Sequence, residues 1–106
     1  MDKLQVAQTI IRQMGGSGNL MAMLGIKRFV SLDKTPNGGV QFRFKGCRKA
    51  NAIRITLNSM DTYEVTFYKI SNKNPGGRVV KRLSDVYADM LVDIFESFTG
   101  LRTKLF

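Results

Sequence analysis

Val40-Gln41-Phe42-Arg43-Phe44-Lys45 alternates apolar and polar side chains, and Ile53-Arg54-Ile55-Thr56-Leu57-Asn58 repeats the alternation a few residues later. A period of two is that of a β-strand with one face in a core and the other outside it. The connection between the runs passes through Gly46, Cys47, Arg48, Lys49 and Asn51. It is too short for a parallel crossover, which takes about a dozen residues or more, so the two strands are antiparallel neighbours.

The same reading extends in both directions. Downstream, a turn over 58 to 61 leads to Tyr63, Val65 and Phe67, which alternate with Glu64, Thr66 and Tyr68. The loop Asn72-Lys73-Asn74-Pro75-Gly76-Gly77 then precedes a fifth strand over 78 to 82. Upstream, 26 to 32 carries Ile26, Phe29, Val30 and Leu32, and Pro36, Asn37, Gly38 and Gly39 mark the turn after it. Four or five strands joined by short turns predict an antiparallel meander.

Helices are expected at both ends. Leu4, Val6, Ala7, Ile10, Ile11 and Met14 recur at helical spacing over 3 to 14. Gly15, Gly16, Ser17 and Gly18 end that helix, and Asn19 caps one short turn from Leu20 to Leu24 before Gly25. Ser84 followed by Asp85 reads as a helix start, with Val86, Tyr87, Met90, Leu91, Ile94, Phe95 and Phe98 as the stripe and Gly100 as the C-cap, over 84 to 99. The tail from Leu101 to Phe106 is apolar enough to pack back or to reach a second subunit. A sheet with one apolar face and two amphipathic helices is satisfied when both helices cover that face. The fold class is therefore α+β, in one domain over 1 to 106. Phe42, Phe44, Ile55, Val65, Phe67, Met90, Leu91, Ile94 and Phe95 are expected to share the core, with Met14, Met21, Met23 and Met60 as further fillers.

Composition narrows the chemistry. One cysteine, Cys47, excludes an intrachain disulfide, and the lack of histidine excludes a histidine base and the usual zinc sets. No stretch has the roughly 18 consecutive apolar residues of a membrane span, and no secretory start precedes Lys3, so a cytoplasmic location is expected. Charge is uneven: 84 to 99 holds Asp85, Asp89, Asp93 and Glu96 and no base, so the rest carries 17 Lys plus Arg against four acids. That field favours anionic partners, nucleic acid first.

The run Asn51-Ala52-Ile53-Arg54-Ile55-Thr56-Leu57-Asn58, then Asp61, Tyr63, Val65 and Phe67, then Val86-Tyr87-Ala88-Asp89, resembles a family of small phage and prophage proteins. The resemblance implies an N-terminal helix, a Gly-rich loop, a sheet and a C-terminal helix across most of the chain. It supplies no catalytic or ligand residues. In layout alone, basic strands followed by a helix are also similar to a transcription coactivator fold that binds single-stranded DNA.

Four constellations are candidate sites. Arg43, Lys45, Arg54, Thr56, Thr66 and Tyr68 fall on the face turned away from the helices, with Arg48 and Lys49 in the adjoining connection. Cations neutralise phosphates and an aromatic ring stacks on bases, the pairing used for single strands; the structural alternative is a solvated basic face. Asp85, Asp89, Asp93 and Glu96 are spaced to line one helical ridge that either faces water or meets a basic partner, and a straight ridge does not converge on a metal. Gly15 to Gly18 either cradle a phosphate or end a helix, and no Gly-Lys-Ser/Thr ending follows them. Cys47 lies beside Arg48 and Lys49 with no base in view. No cofactor motif is present. The functional expectation is a small basic accessory protein binding single-stranded nucleic acid without base preference. The alternative is a phage protein-interaction, inhibitor or assembly component; an enzyme ranks last. A homodimer through open sheet edges is a further expectation.

Overall fold

The structure, a computed structural model, describes residues 2–103. Helix α1 spans Lys3–Gln13 and α2 spans Ser17–Leu24. Strands β1 (Phe29–Ser31), β2 (Gly39–Arg43), β3 (Ala52–Leu57), β4 (Tyr63–Lys69) and β5 (Arg78–Val86) follow. A 3-10 turn at Ala88–Met90 then leads into α3, Leu91–Thr99. All five strands form one antiparallel sheet in the order β1-β2-β3-β4-β5, the predicted meander.

Register explains which residues meet. Phe29, Phe42, Ile53 and Phe67 lie in one cross-strand row, and Val40, Ile55, Val65 and Leu83 lie in another on the same face. Helix α1 buries Val6, Ala7 and Ile10 against that face, chiefly over β2 and β1. Helix α3 reaches it through Phe95, whose ring is edge-on to Phe44 at 5.1 Å, and through Phe98, 4.3 Å from Phe67. Both helices therefore cover one side of the sheet, as the single apolar face requires. Gly39 is demanded by the sheet itself, because a Cβ there would collide with the Ile55 carbonyl oxygen of β3.

Helix α1 starts at Lys3, as its pattern predicts, behind a cap at Asp2. Asp2 accepts from the Gln5 backbone N–H at 2.8 Å, and Gln5 reaches back to the Asp2 N–H, a reciprocal cap. The Gly-rich link is also more ordered than a flexible terminator: α2 already begins at Ser17 and ends at Gly25, whose φ of 66° is left-handed. Among the described residues no helix is long and apolar enough to cross a membrane.

The C-terminal helix does not begin at Ser84. Strand β5 continues through Ser84 and Asp85 to Val86, and helical structure starts only at Ala88. The reason is local. Val86 pairs with Tyr63 and Leu83 with Val65, so β5 fits two residues, Ser84 and Asp85, opposite Glu64 alone. Asp85 takes the bulge in a left-handed conformation, φ 57°, which Asp tolerates better than most side chains. A second bulge falls at Val80, between the Phe67–Lys81 and Tyr68–Val79 pairs.

Core membership follows the expectation except among the methionines. Phe42, Phe44, Ile55, Val65, Phe67, Leu91 and Phe95 are buried and Ile94 packs against them. Met90 is exposed, its sulfur accepting from the Tyr87 N–H instead of filling the core. Met14 is fully buried and Met23 partly so, but Met21 and Met60 are exposed, because they sit on the outer side of α2 and at a turn tip. The tail packs back as far as described: Leu101 joins the core margin and Thr103 is buried, while Leu105 and Phe106 lie outside the described residues.

Candidate nucleic-acid interface

The face away from the helices is set by the same register. One row across it reads Val30, Gln41, Arg54, Thr66, Arg82, and the next reads Arg43, Ala52, Tyr68, Val79. Gly39, Thr56 and Glu64 form a third row. Arg43, Arg54, Thr56, Thr66 and Tyr68 thus share one face, as their alternation predicts, and Arg82 joins them. Glu64 is the one carboxylate among these paired positions. Ala52 and Thr66 are buried although no helix covers them. Each is a short side chain between longer ones, Arg43 and Tyr68 beside Ala52, Arg54 and Arg82 beside Thr66, so aliphatic stems and the ring lie over them.

The end of this face nearest β2 is held by Asn51. Its backbone N–H donates to the Tyr68 carbonyl at 2.9 Å, its side-chain amide donates to the Ile70 carbonyl, and its Oδ1 accepts from the Ile70 N–H, both at 2.8 Å. The amide stands in for one more rung of the β3–β4 ladder and fixes the end of the 44 to 51 connection relative to Tyr68.

Beside Arg43 the surface opens into a recess of about 760 Å³, lined by Gly25, Lys27, Arg28, Val30, Gln41, Phe42, Arg43, Phe44, Lys45, Gly46, Cys47 and Asn51. Its origin is a mismatch in residue count. The Lys45 N–H donates to the Leu24 carbonyl at 2.9 Å, and Phe29 pairs with Phe42. Between those two closures one segment has four residues, 25 to 28, and the other only Arg43 and Phe44. The longer segment bows outward. Lys45 is steered into place by Gly25, since its aliphatic chain lies where a Cβ on that glycine would be, 3.2 Å from Cδ. Four cations line the recess and no carboxylate does.

Other candidates are dispersed. Arg48 is exposed in the connection, and Lys49 turns to the helix side, with its ammonium 5.4 Å from the Phe98 ring centre, a cation–π contact. Lys49 is therefore not part of the open face. The acidic ridge does not form: Asp85 is on β5, Asp89 in the 3-10 turn, Asp93 and Glu96 on α3. Glu96 is half-buried and occupied, accepting from the Thr103 N–H at 2.9 Å and its hydroxyl at 3.2 Å. Gly15 and Gly16 donate their N–H groups to the Arg12 and Ile11 carbonyls, closing α1, so neither is free to cradle a phosphate. Cys47 is half-buried at the recess wall. The place of Lys27 and Arg28 in the recess depends on the Leu24–Lys45 closure, which has no local sequence signal.

Neither sheet edge is a long flat template. Strand β1 has three residues, and β5 is interrupted by two bulges and carries Arg78, Lys81 and Arg82. No protein family, curated protein or solved structure matches the chain.

Proposed function

We propose that this protein binds single-stranded nucleic acid across the open sheet face, with little preference for base. The observation that carries the reading is the cross-strand register, which gathers Arg43, Arg54, Arg82 and Tyr68 on the one side of the sheet that no helix covers. The basic recess at the edge of that side extends the positive surface to Lys27, Arg28 and Lys45. Arginines and lysines there hold phosphates, and the half-exposed Tyr68 ring offers a stacking surface that accepts any base. Duplex binding is less suited to this face, because a ring can stack only on bases that are not already stacked within a helix.

The test is a titration with labelled oligothymidylate and duplex DNA at several salt concentrations. Each phosphate neutralised adds about 0.7 to the negative log–log salt slope for a single strand. Charge reversal at both Arg43→Glu and Arg54→Glu removes two such contacts and abolishes measurable binding while the circular dichroism spectrum is unchanged. Tyr68→Ala weakens binding by about 1–3 kcal/mol without altering the slope. No binding at low salt, where attraction is least screened, refutes the reading.

A second reading, a protein-interaction component, draws on one observation. Leu4, Tyr87 and Met90 are exposed apolar residues that flank the contact between α1 and the 3-10 turn, away from the basic face. It gains ground only if the oligonucleotide titration fails.

A further inference from the structure

The basic recess is shaped differently from the sheet face beside it. It lies where the segments 25 to 28 and 43 to 44 separate between the Lys45–Leu24 hydrogen bond and the Phe29–Phe42 pair, and its lining includes Phe42 and Phe44, both buried in the core. A recess of this shape suits one compact anionic group, whereas a continuous strand has the open sheet face beside it.

Charge says which kind of group. Lys27, Arg28, Arg43 and Lys45 line one cavity with no carboxylate among its walls. Arg28 and Arg43 follow the last β1–β2 pair, Phe29–Phe42, on the two segments that separate there, and both line the recess. Like charges gathered in one recess with no carboxylate among them repel, and a bound anion relieves the repulsion. An internal phosphodiester brings one negative charge, whereas a terminal phosphomonoester brings about 1.5 to 2 at neutral pH and a third free oxygen. A guanidinium binds such a group through paired N–H donors, and two arginines flanked by two lysines supply more donors than a single diester uses.

We infer that this recess is a subsite for a terminal phosphomonoester of a nucleotide, so that a single strand is engaged with its phosphorylated end beside β1 and its body over Arg54, Tyr68 and Arg82. The inference rests on the reading of the sheet face as a nucleic-acid surface, and it gives that surface a direction and an end preference. The same chemistry is presented by a free nucleotide, which the recess accommodates without the rest of the strand.

The experiment compares oligothymidylates of equal length carrying a 5′-phosphate, a 3′-phosphate, or hydroxyls at both ends, together with thymidine monophosphate alone. Binding is read by anisotropy and, independently, by the rate at which Cys47, the only cysteine and a wall residue, reacts with a maleimide. One phosphorylated end binds about tenfold more tightly than the hydroxyl-ended strand, the equivalent of one charge-assisted contact, and slows Cys47 labelling. Lys27→Gln with Arg28→Gln removes this preference, so that phosphorylated and hydroxyl-ended strands bind the double variant with equal affinity, whatever the two lost charges cost all strands alike. Equal affinity for all three strands overturns the subsite and leaves the sheet-face reading standing. Preference that survives the double substitution also overturns it. If no strand binds but thymidine monophosphate protects Cys47 in the unaltered protein and not in the double variant, the subsite stands and the sheet-face reading falls. Absence of both binding and protection overturns both.

Discussion

Phe67→Ala tests whether the two-period alternation really marks the core. The ring is fully buried on β4, 4.3 Å from the Phe98 ring and 6.3 Å from Phe95, with Ile53 beside it on β3. Truncation removes the transfer free energy of the ring and leaves a hole that three rigid neighbours fill poorly, together about 3–5 kcal/mol. Against a total stability of about 5–15 kcal/mol, that loss lowers the melting temperature by about 15 °C or more. Urea unfolding followed by circular dichroism is the assay, with Val79→Ala as control, because Val79 is exposed on the neighbouring strand and its truncation costs under about 0.5 kcal/mol. Adding Phe98→Ala closes a double-mutant cycle, and the stacked pair gives a coupling of about 0.5–1.5 kcal/mol. A loss below about 1 kcal/mol for Phe67→Ala, or coupling indistinguishable from zero, refutes the packing of α3 on this face.

Two further outcomes follow from single residues. Asp85→Gly leaves stability unchanged or slightly raised and Asp85→Val costs about 1–2 kcal/mol, because the left-handed backbone at φ 57° suits glycine and opposes a branched side chain; the reverse order in thermal unfolding restores a helix start at this position. Tyr63 donates its hydroxyl to Gln13 Oε1 at 2.8 Å, and burial pushes its pKa above the ordinary tyrosine value. A raised folded-state pKa means that the contribution to stability is complete below the unfolded value of 10.0 and is lost as pH rises from there through the folded value. The stability of the unaltered protein relative to Tyr63→Phe should therefore fall between neutral and strongly alkaline pH, and a relative stability that rises with pH contradicts the sign.

How much was legible depended on whether the signal was periodic or positional. Strands β2, β3 and β4 were readable because each alternates over five or more residues with one face in the core, and the open-face membership of Arg43, Arg54, Thr56, Thr66 and Tyr68 came with the same parity. The C-terminal segment was misread because Ser84-Asp85 carries the chemistry of a helix cap and equally that of a bulge. Only the pairing partner decides between them, and Tyr63 and Val65 on β4 take up Val86 and Leu83 at unequal spacing. The acidic ridge fell with that helix. Lys49 was misplaced for a related reason: residues 44 to 51 have no period, so nothing in the sequence says that Lys49 turns to Phe98 while Lys45 turns to Gly25.

Unequal residue counts between fixed backbone pairs shape both ends of the sheet. At β5 each of two bulges takes up one surplus residue within the paired strand, with Asp85 left-handed at one of them. At β1 the surplus is two residues and the pairs that bound it, Leu24 with Lys45 and Phe29 with Phe42, belong to different elements, so the chain separates instead of bulging. A separation over the core would expose apolar side chains and be filled. Here Phe42 and Phe44 are already covered from the other side by α1 and α3, so the gap can remain open to water and be lined by cations. The covering helices are thus what permits a recess on the opposite face. Deepening it by shortening Phe44 would weaken the contact with Phe95 at 5.1 Å, which ties the geometry of the basic recess to the integrity of the core beneath it.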